Sequence, residues 1–539
     1  MKVLSPFIFL FFLLISATTF AQTVTEKKKG WHLLDQKQDG YFGISLNKAY
    51  DLLKNRKSKT VIVAVIDSGI DTLHEDLVPI LWRNTKEVEG NGIDDDKNGY
   101  IDDVYGWNFC GDKSGKNLAH NTHEIARVYH NWKKEFQGKK ETELPKEKLF
   151  LFGQWKKAEK ILEKDYVDAK KSIDNIKEFL EGLEISSKQI CEALSVTQFA
   201  PPQLKDPKLS KSATTIRAAE FWKSIYQDAN DTTTSSTAVI EEVTRYKNDL
   251  QSKIDRFDNM PEDFRGELVK DNYTDINDRS YGNNNLKEGS GNHGTSVSGV
   301  IAAVRGNGMG VDGIADNVRI MAVRAVPGGD EHDKDVALAI RYAVDNGASI
   351  INMSFGKPVS PYKQFVDDAV RYAESKGVLL VHGSGNEGEN IDENVFYPNP
   401  IFLDGKRATN FLTVGASGDK STGSLSAPFS NYNSTEVDIF APGVYVYTST
   451  TNNGYEAVDG TSFASPVAAG VAALLKSYFP DLTPSEIIDI INQSGSPVTE
   501  EVSLPGDDKK KVAFSYLCKT GKIINAYEAV KVALAREKK

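Results

Sequence analysis

The sequence predicts an α/β fold: a doubly wound, mostly parallel sheet whose chain is interrupted by an inserted α-helical module. The apolar, β-branched run from Val61 to Ile66 is uninterrupted, which suits a strand buried on both faces. After residue 270, short apolar runs alternate with helical patterns of about 10 to 15 residues, which favours βαβ units. From about 112 to 269 the chain is highly charged, and its apolar residues recur at the spacing of amphipathic helices.

These patterns divide the chain into four segments. Residues 1–21 form a predicted signal peptide, 22–111 the first part of the α/β domain, 112–269 the helical insertion, and 270–539 the second part of the α/β domain.

The predicted signal peptide has a charged start at Lys2, an apolar run from Phe7 to Ile15, and small residues after it. A membrane anchor is the alternative, but this run is shorter than the roughly 20 residues that span a bilayer. No later segment reaches that length either. The sequence therefore predicts a secreted or periplasmic protein with no membrane span in the mature chain.

The composition excludes several classes of protein. Of the 539 residues, 40% are hydrophobic and 26% are charged, which is typical of a globular protein rather than a disordered one. A formal net charge of -10 argues against nucleic acid as the partner. Three cysteines, Cys110, Cys191 and Cys518, cannot build a disulfide framework, so a packed core has to stabilise the fold.

Three segments carry the residue types of nucleophilic acyl transfer. Asp67 stands at the predicted carboxyl end of a strand, His293 precedes a small-residue helix, and Ser462 opens a predicted helix. A serine hydroxyl is a weak nucleophile, so it needs an imidazole to take its proton and a carboxylate to orient that imidazole. In GSGNEG, the amide of Asn386 could donate a hydrogen bond to an oxyanion. Each residue taken alone also has a structural explanation, as a cap, a turn residue or a packed side chain.

Together these segments resemble the motifs of the subtilases, the subtilisin-like serine proteases. The matching motifs, in the family's chain order, are Asp67 in DSGID, His293 in HGTSVSG, Asn386 in GNEG and Ser462 in GTSFASP. The resemblance implies a subtilisin-like fold and a serine endopeptidase that acts on protein or peptide substrates through an acyl-enzyme. The chain between the Asp and His motifs is longer than in compact members of the family, and the helical insertion accounts for most of the difference.

The resemblance also implies where the substrate binds. The strands expected to flank the bound peptide are formed by Ser354, Phe355 and Gly356 and by the stretch around Gly328 and Gly329. Four acids follow these glycines between Asp330 and Asp335. Their charge predicts a preference for basic side chains two to four residues before the cut, although solvated surface acids are the alternative.

A calcium loop is predicted in the segment NGIDDDKNGYIDD. Its candidate ligands are Asp94, Asp96, Asn98, the Tyr100 carbonyl, and Asp102 or Asp103. Tyr105 stands where an EF-hand has its last acid, so a true EF-hand is not expected, and an acidic surface turn is the alternative. By the resemblance, Asp76 and Asn307 match positions that hold a structural calcium ion in many subtilases, which implies a second site.

Two other functions are compatible with these residues. One is a peptide-binding or interaction protein, with a partner or a second copy of the chain docking through the helical insertion. The other is a transpeptidase that passes the acyl-enzyme to an amine. The glycine-rich segments match no nucleotide-binding pattern. The sequence favours an exported serine endopeptidase with structural calcium.

Overall fold

The computed structural model describes residues 29–229, 231–287 and 291–537. The predicted signal peptide, residues 1–21, lies outside these ranges. The described chain forms two compact units. The smaller unit runs from Trp155 to Pro261, and the larger one consists of Lys29–Gln154 together with the residues from Glu262 onward. Each unit has a hydrophobic core of its own.

The larger unit is built around a mostly parallel sheet. The strands of the described residues are β1 (Val61–Asp67), β2 (Gly106–Asn108), β3 (Val318–Arg324), β4 (Ile350–Met353), β5 (Leu379–Gly383), β6 (Phe411–Ser417), β7 (Ile439–Pro442), β8 (Val446–Thr450), β9 (Gly454–Val458), β10 (Ser496–Pro497), β11 (Glu501–Leu504), β12 (Asp507–Ala513) and β13 (Lys522–Ile523). Nine of these described strands form one sheet in the order β10-β13-β7-β6-β5-β4-β1-β3-β2. Its neighbouring strands are parallel, apart from the β10–β13 pair.

Helices cover both faces of this sheet. The helices of the described residues are α1 (Gln36–Asp39), α2 (Leu46–Leu53), α3 (Glu124–Phe136), α4 (Leu149–Leu194), α5 (Ala213–Asp228), α6 (Ser236–Asp258), α7 (Phe264–Leu268), α8 (Asn292–Ala302), α9 (Asp333–Asp345), α10 (Lys363–Ser375), α11 (Thr461–Tyr478), α12 (Pro484–Ser494) and α13 (Ala526–Glu537). One core cluster contains side chains of α8 and α11, and a second contains side chains of α9 and α10. The predicted doubly wound α/β fold is confirmed.

The uninterrupted apolar sequence of β1 is explained by the burial of both its faces. Val63 and Val65 belong to the first core cluster, whereas Ala64 and Ile66 belong to the second. Successive side chains of a strand point to opposite faces, so both faces of β1 are buried against helices. The strand lies between β3 and β4, and Asp67 is its last residue. This central buried strand therefore places the Asp67 carboxylate at the carboxyl edge of the sheet.

The smaller unit is helical, and it covers a shorter stretch of chain than the predicted insertion of residues 112–269. Its core contains Leu183, Phe199 and Trp222, together with apolar positions that the sequence spacing placed on one helix face. Residues 112–154 and 262–269 belong instead to the larger unit. Phe136 packs on Phe152 there, and Arg265 is ion-paired with Asp335. Two charged residues of these flanking stretches, Glu124 and Arg265, are buried in ion pairs of the larger unit.

Two further sequence expectations concern the whole described chain. None of its described helices combines the length and the hydropathy that a membrane span requires. Cys110, Cys191 and Cys518 are all free thiols, and Cys110 and Cys518 are buried. The packed cores stabilise the fold without a disulfide in the described residues.

Candidate active site

Asp67 and His293 form a hydrogen-bonded pair at the carboxyl edge of the sheet. His293 lies in the first turn of α8, and its Nδ1 is 2.8 Å from Oδ1 and 3.0 Å from Oδ2 of Asp67. The Asp67 carboxylate is buried and also accepts a hydrogen bond from the Ser68 N–H at 2.7 Å. Because Nδ1 faces a carboxylate, the neutral ring carries its proton there and leaves Nε2 as the acceptor.

The surroundings of His293 shift its basicity. Burial lowers the pKa of His293, while the charge of Asp67 and the hydrogen bond to it raise this pKa by more, so the net shift is upward. The side chain keeps 37% of its surface exposed, whereas that of Asp67 keeps 2%. The imidazole can therefore exchange protons with a bound substrate or with water.

Ser462 lies in the first turn of α11, and the residue that follows it contacts the imidazole. The ring of the next residue, Phe463, is 5.5 Å from the His293 ring, measured between centroids. The Ser462 Oγ donates a hydrogen bond to the Ser354 carbonyl at 3.2 Å, and the Ser354 Oγ donates to the Ser462 carbonyl at 2.8 Å. The Ser462 hydroxyl is thus bonded to the Ser354 carbonyl rather than to the imidazole. Before substrate binds, catalytic hydrogen bonds are often long or not yet formed.

Asn386 is oriented by a residue that the sequence analysis did not single out. Thr461 donates two hydrogen bonds to the Asn386 Oδ1, from its N–H and from its Oγ1, each at 2.9 Å. With Oδ1 occupied, the amide NH₂ is the end of the side chain that is left to donate. Thr461 directly precedes the Ser462 nucleophile candidate in GTSFASP, so its position in the motif was the available signal.

A cavity of about 230 Å³ lies at these residues. Ser462 and Asn386 line it, and so do the predicted substrate-strand residues Ser354, Phe355 and Gly356. The Ser354 hydroxyl accepts a hydrogen bond from the Asn352 amide, which fixes this wall of the cavity to β4. The structure thus brings the candidate nucleophile, the oxyanion donor and one predicted substrate strand together.

The second predicted substrate strand is only partly at this cavity. Gly329 lines it, whereas Gly328 pairs with a segment that precedes α3. The Gly328 N–H donates to the Ala119 carbonyl at 3.0 Å, and the Asn121 N–H donates to the Gly328 carbonyl. Gly329 has a φ of 114°, and a Cβ atom on it would stand 2.2 Å from the Asn121 carbonyl oxygen. Only glycine therefore allows this close approach.

The acidic segment that follows Gly329 is mostly turned away from solvent. Asp333 is buried and ion-paired with Lys357 at 2.9 Å. Asp335 is buried and ion-paired with Arg265. Burial and pairing of these two acids remove half of the charge on which the predicted basic preference rested. Asp330 and Glu331 are the acids of this segment that line the cavity.

The predicted calcium loop brings together only part of its candidate ligands. Oxygen atoms of Glu87, Asp94 and Asp96 lie within 4.8 Å of one another. Asp102 instead accepts hydrogen bonds from the backbone N–H groups of residues 90–92. Three carboxylates at this separation fit a hard cation such as calcium, which prefers oxygen ligands. Glu87 lies before the acidic repeat, so the spacing gave no signal for it.

The remaining candidates of this loop have other contacts. The Asp103 carboxylate accepts from Asn84 at 2.8 Å, from Asn98 at 3.0 Å and from Tyr342 at 2.7 Å. Burial raises the pKa of Asp103 to about 6, although these hydrogen bonds oppose the shift. The Tyr100 ring packs edge-on against Tyr342, with 4.8 Å between the ring centroids. The side chains of Asp103 and Tyr100 therefore support the loop through these contacts.

The second predicted calcium site joins its two residues directly. The Asn307 Nδ2 donates to the Asp76 Oδ1 at 2.7 Å, and the Tyr455 hydroxyl donates to the Asp76 Oδ2 at 3.3 Å. In this arrangement protein donors occupy both oxygens of the carboxylate. The structure gives the two residues a hydrogen bond to each other, and the second calcium site stays a prediction.

Comparison with known proteins shows the family of the chain. The model of the subtilase family matches residues 58–511. A thermophilic serine proteinase from Bacillus sp. (strain AK1) is 41% identical over 187 residues, which cover 34% of this chain and 43% of that protein. The alkaline elastase YaB from Bacillus sp. (strain YaB) is 38% identical over 200 residues, which cover 37% of this chain and 48% of that protein. Subtilisin DY from Bacillus licheniformis is 36% identical over 199 residues, which cover 36% of this chain and 67% of that protein.

The matched stretches span about half the length of the first two relatives. The family model, by contrast, covers most of this chain, including all four motifs and the helical unit between the first two. The chain belongs to the subtilase family.

Proposed function

We propose that this chain is an exported serine endopeptidase that hydrolyses peptide bonds through Asp67, His293 and Ser462. The observation that carries the proposal is the cavity lined by Ser462 and Asn386, next to the 2.8 Å pair of His293 with Asp67. Nucleophile, base, orienting carboxylate and oxyanion donor are the parts that acyl transfer requires.

In the proposed reaction, the Nε2 of His293 accepts the proton of the Ser462 hydroxyl while Oγ attacks the scissile carbonyl carbon. The Asp67 carboxylate holds the ring and stabilises the imidazolium. His293 then gives the proton to the leaving amine, and the C–N bond breaks to leave an acyl-enzyme. Water, deprotonated by the same Nε2, attacks the ester and releases the acid, which restores Ser462.

The developing oxyanion would be stabilised from two directions. The Asn386 amide donates from one side, and the Ser462 N–H donates from the N-terminal end of α11, where the helix dipole adds positive potential. Support for the first donor comes from Thr461, whose two hydrogen bonds hold the opposite end of the amide. Such donors stabilise the transition state most when they are fixed before the reaction.

Turnover of an unlabelled peptide, followed by mass spectrometry, tests the proposal. We expect hydrolysis products, and we expect Ser462→Ala to lower the rate by about 10^6. Ser252→Ala, on the exposed face of α6, is the matched control and should keep the full rate. Products ligated to an added amine would indicate a transpeptidase instead. Binding without turnover would indicate a peptide-binding protein.

We also propose a structural calcium ion at Glu87, Asp94 and Asp96. Support comes from the separation of their oxygens and from the hydrogen bonds that hold Glu87, whose two oxygens accept the N–H groups of Asp96 and Asp102, each at 3.1 Å. An ion that binds only the native state stabilises it by RT ln(1 + [L]/Kd). Calcium added to EDTA-dialysed protein should therefore raise the melting temperature, and an unchanged melting temperature would refute the site.

Export is the third part of the proposal. It rests on the charged, apolar and small-residue order of residues 1–21. Expression of the full chain in a bacterial host, followed by N-terminal sequencing of the exported protein, tests it. We expect the mature chain to begin at Gln22. A full-length protein retained inside the cell would contradict this part.

A further inference from the structure

An exposed loop carries the proposed oxyanion donor. Asn386 lies in the segment of residues 384–389, which follows β5 directly, and the side chains of Asn386 and Glu387 are both exposed. Hydrogen-bond donors stabilise a developing oxyanion most when they are fixed before the reaction. Thr461 fixes one end of the Asn386 amide. The backbone that carries this amide has to be held as well.

Asn431 contacts this segment with every hydrogen-bonding group of its side chain. The Asn431 Oδ1 accepts from the N–H groups of Glu387 at 3.2 Å and of Glu389 at 2.9 Å. The Asn431 Nδ2 donates to the Ser384 carbonyl at 3.1 Å and to the Glu387 Oε2 at 2.5 Å. A side-chain amide has two donors and an oxygen with two lone pairs, so these bonds use its full capacity. Asn431 thus joins the chain before Asn386 to the chain after it.

The main chain of Asn431 binds the same segment. Its N–H donates to the Gly385 carbonyl at 2.9 Å, and its carbonyl accepts from the Ser384 Oγ at 2.9 Å. The two stretches of chain approach closely, because a Cβ atom on Gly385 would stand 2.3 Å from the Asn431 Nδ2. Gly385 also has a φ of 105°, which glycine adopts readily. The glycine next to Asn386 therefore allows the contact with Asn431.

Asn431 does not reach the reacting groups itself. Only 2% of its surface is exposed, and it does not line the cavity beside Ser462. Burying an amide costs free energy unless its polar atoms are paired, and within the described residues the Asn431 side chain pairs only with the segment that carries Asn386. Any effect of this side chain on catalysis must therefore act through the position of that segment.

We propose that Asn431 is a positioning residue for the oxyanion donor: it holds residues 384–389 so that the Asn386 amide is in place before the substrate reacts. This inference rests on the proposed peptidase function and adds a residue outside the four motifs. Its role complements that of Thr461, since Thr461 orients the Asn386 side chain and Asn431 fixes the backbone that carries it.

A double-mutant cycle tests the inference. The kcat for one peptide substrate is measured in the wild type, Asn431→Ala, Asn386→Ala and the double variant. We expect Asn431→Ala to lower kcat by about tenfold or more, within the roughly 10^2- to 10^3-fold known for loss of one oxyanion donor. In the Asn386→Ala background the same change should lower kcat by less than about twofold, because the group that Asn431 positions is already gone.

The cycle separates positioning from folding. If Asn431→Ala only reduces the folded fraction, the rate falls by the same factor with and without Asn386, and that result would overturn the inference. An unchanged kcat in Asn431→Ala would overturn it too. A wild-type chain that cleaves no peptide and reacts with no serine-directed inhibitor would instead mean that the proposed function has failed.

Asn433→Ala is the matched control. Asn433 is also buried, and its Oδ1 also accepts two backbone N–H groups, but these belong to Thr435 and Glu436 in its own turn. The kcat per folded chain should therefore stay at its wild-type value in Asn433→Ala. A loss of kcat as large as that in Asn431→Ala would show that removing any buried amide of this region slows the reaction, which contradicts a specific role for Asn431.

Discussion

At the scale of single residues, the pairing of His293 with Asp67 determines how the activity should depend on pH. Only the neutral imidazole can accept the Ser462 proton, so kcat/KM should fall as the pH drops through the pKa of His293. Since the Asp67 charge raises that pKa above its usual value of about 6.5, the acid limb should lie at a higher pH than for an unpaired histidine.

Asp67→Asn should change this profile in two ways. The maximum kcat should drop by about 10^4, because an amide leaves the imidazole in the wrong tautomer. The acid limb should also move to lower pH, because the carboxylate no longer stabilises the imidazolium. A pH profile of kcat/KM for both proteins checks both effects. An unshifted acid limb would mean that a group other than His293 controls it.

Thr461 provides a second prediction at this scale. Thr461→Val removes one of the two hydrogen bonds to the Asn386 Oδ1 and keeps the side chain's shape. A net hydrogen-bond contribution of about 0.5 to 1.5 kcal/mol corresponds to a loss in kcat of roughly 2- to 10-fold. KM should change little, since the oxyanion forms only after binding. Thr409→Val, whose hydroxyl contacts Glu374 on the surface, should leave kcat unaltered. An undiminished kcat in Thr461→Val would contradict the orienting role.

At the scale of elements, helix α3 holds the segment at Asp330 and Glu331 that borders the cavity. The Glu124 Oε2 accepts from Lys357 at 2.8 Å and from Arg127 at 2.6 Å. Arg127 in turn donates to the backbone carbonyls of Asp330 and Glu331, at 3.3 and 3.4 Å. Two buried cations thus tie one end of α3 to the cavity wall through Glu124.

Glu124→Gln should therefore affect both stability and substrate binding. Breaking a buried charge pair costs about 3 to 5 kcal/mol of unfolding free energy, because the partner cation loses its anion. We also expect KM to rise, because the segment at Asp330 loses its fixed position. Denaturant unfolding and steady-state kinetics measure the two effects. Glu135→Gln, on the same helix, removes a surface ion pair with Lys148 and should cost less than about 1 kcal/mol. Equal losses in the two variants would argue against the bracing role.

The loop before β2 supplies the calcium prediction. Glu87→Gln replaces one carboxylate of the cluster, so the rise in melting temperature caused by calcium should become smaller. Glu89→Gln is the control, because Glu89 is exposed and paired with Arg83 outside the cluster. Thermal melts with and without calcium distinguish them. A calcium response that is the same in wild type and Glu87→Gln would remove Glu87 from the site.

The sequence predicted the elements better than the contacts between them. The buried strand at Val61–Ile66 and the helix after Ser462 follow from local patterns, so they could be predicted. Glu87 could not be assigned to the calcium loop, because it lies outside the acidic repeat. Only the turn of the chain places its carboxylate near those of Asp94 and Asp96. The buried ion pair of Glu124 with Lys357 links residues far apart in sequence, so no local pattern could reveal it.

At the scale of the whole molecule, the α/β unit is assembled from two stretches of chain separated by the helical unit of Trp155–Pro261. Asp67 precedes that unit and His293 follows it, yet their side chains are 2.8 Å apart. Parallel strand pairing explains this, because β1 from the first stretch lies between β3 and β4 from the second. The site is therefore complete only when both stretches have folded into one sheet.

Labelling by a fluorophosphonate tests the central claim most directly, since this reagent reacts with a serine whose hydroxyl is activated by a neighbouring base. We expect one label per folded chain, located at Ser462 by peptide mapping. Ser462→Ala should take up none, and denaturation before treatment should abolish the labelling. A folded wild-type chain that stays unlabelled, or a label that persists in Ser462→Ala, would contradict the assignment of Ser462 as the nucleophile.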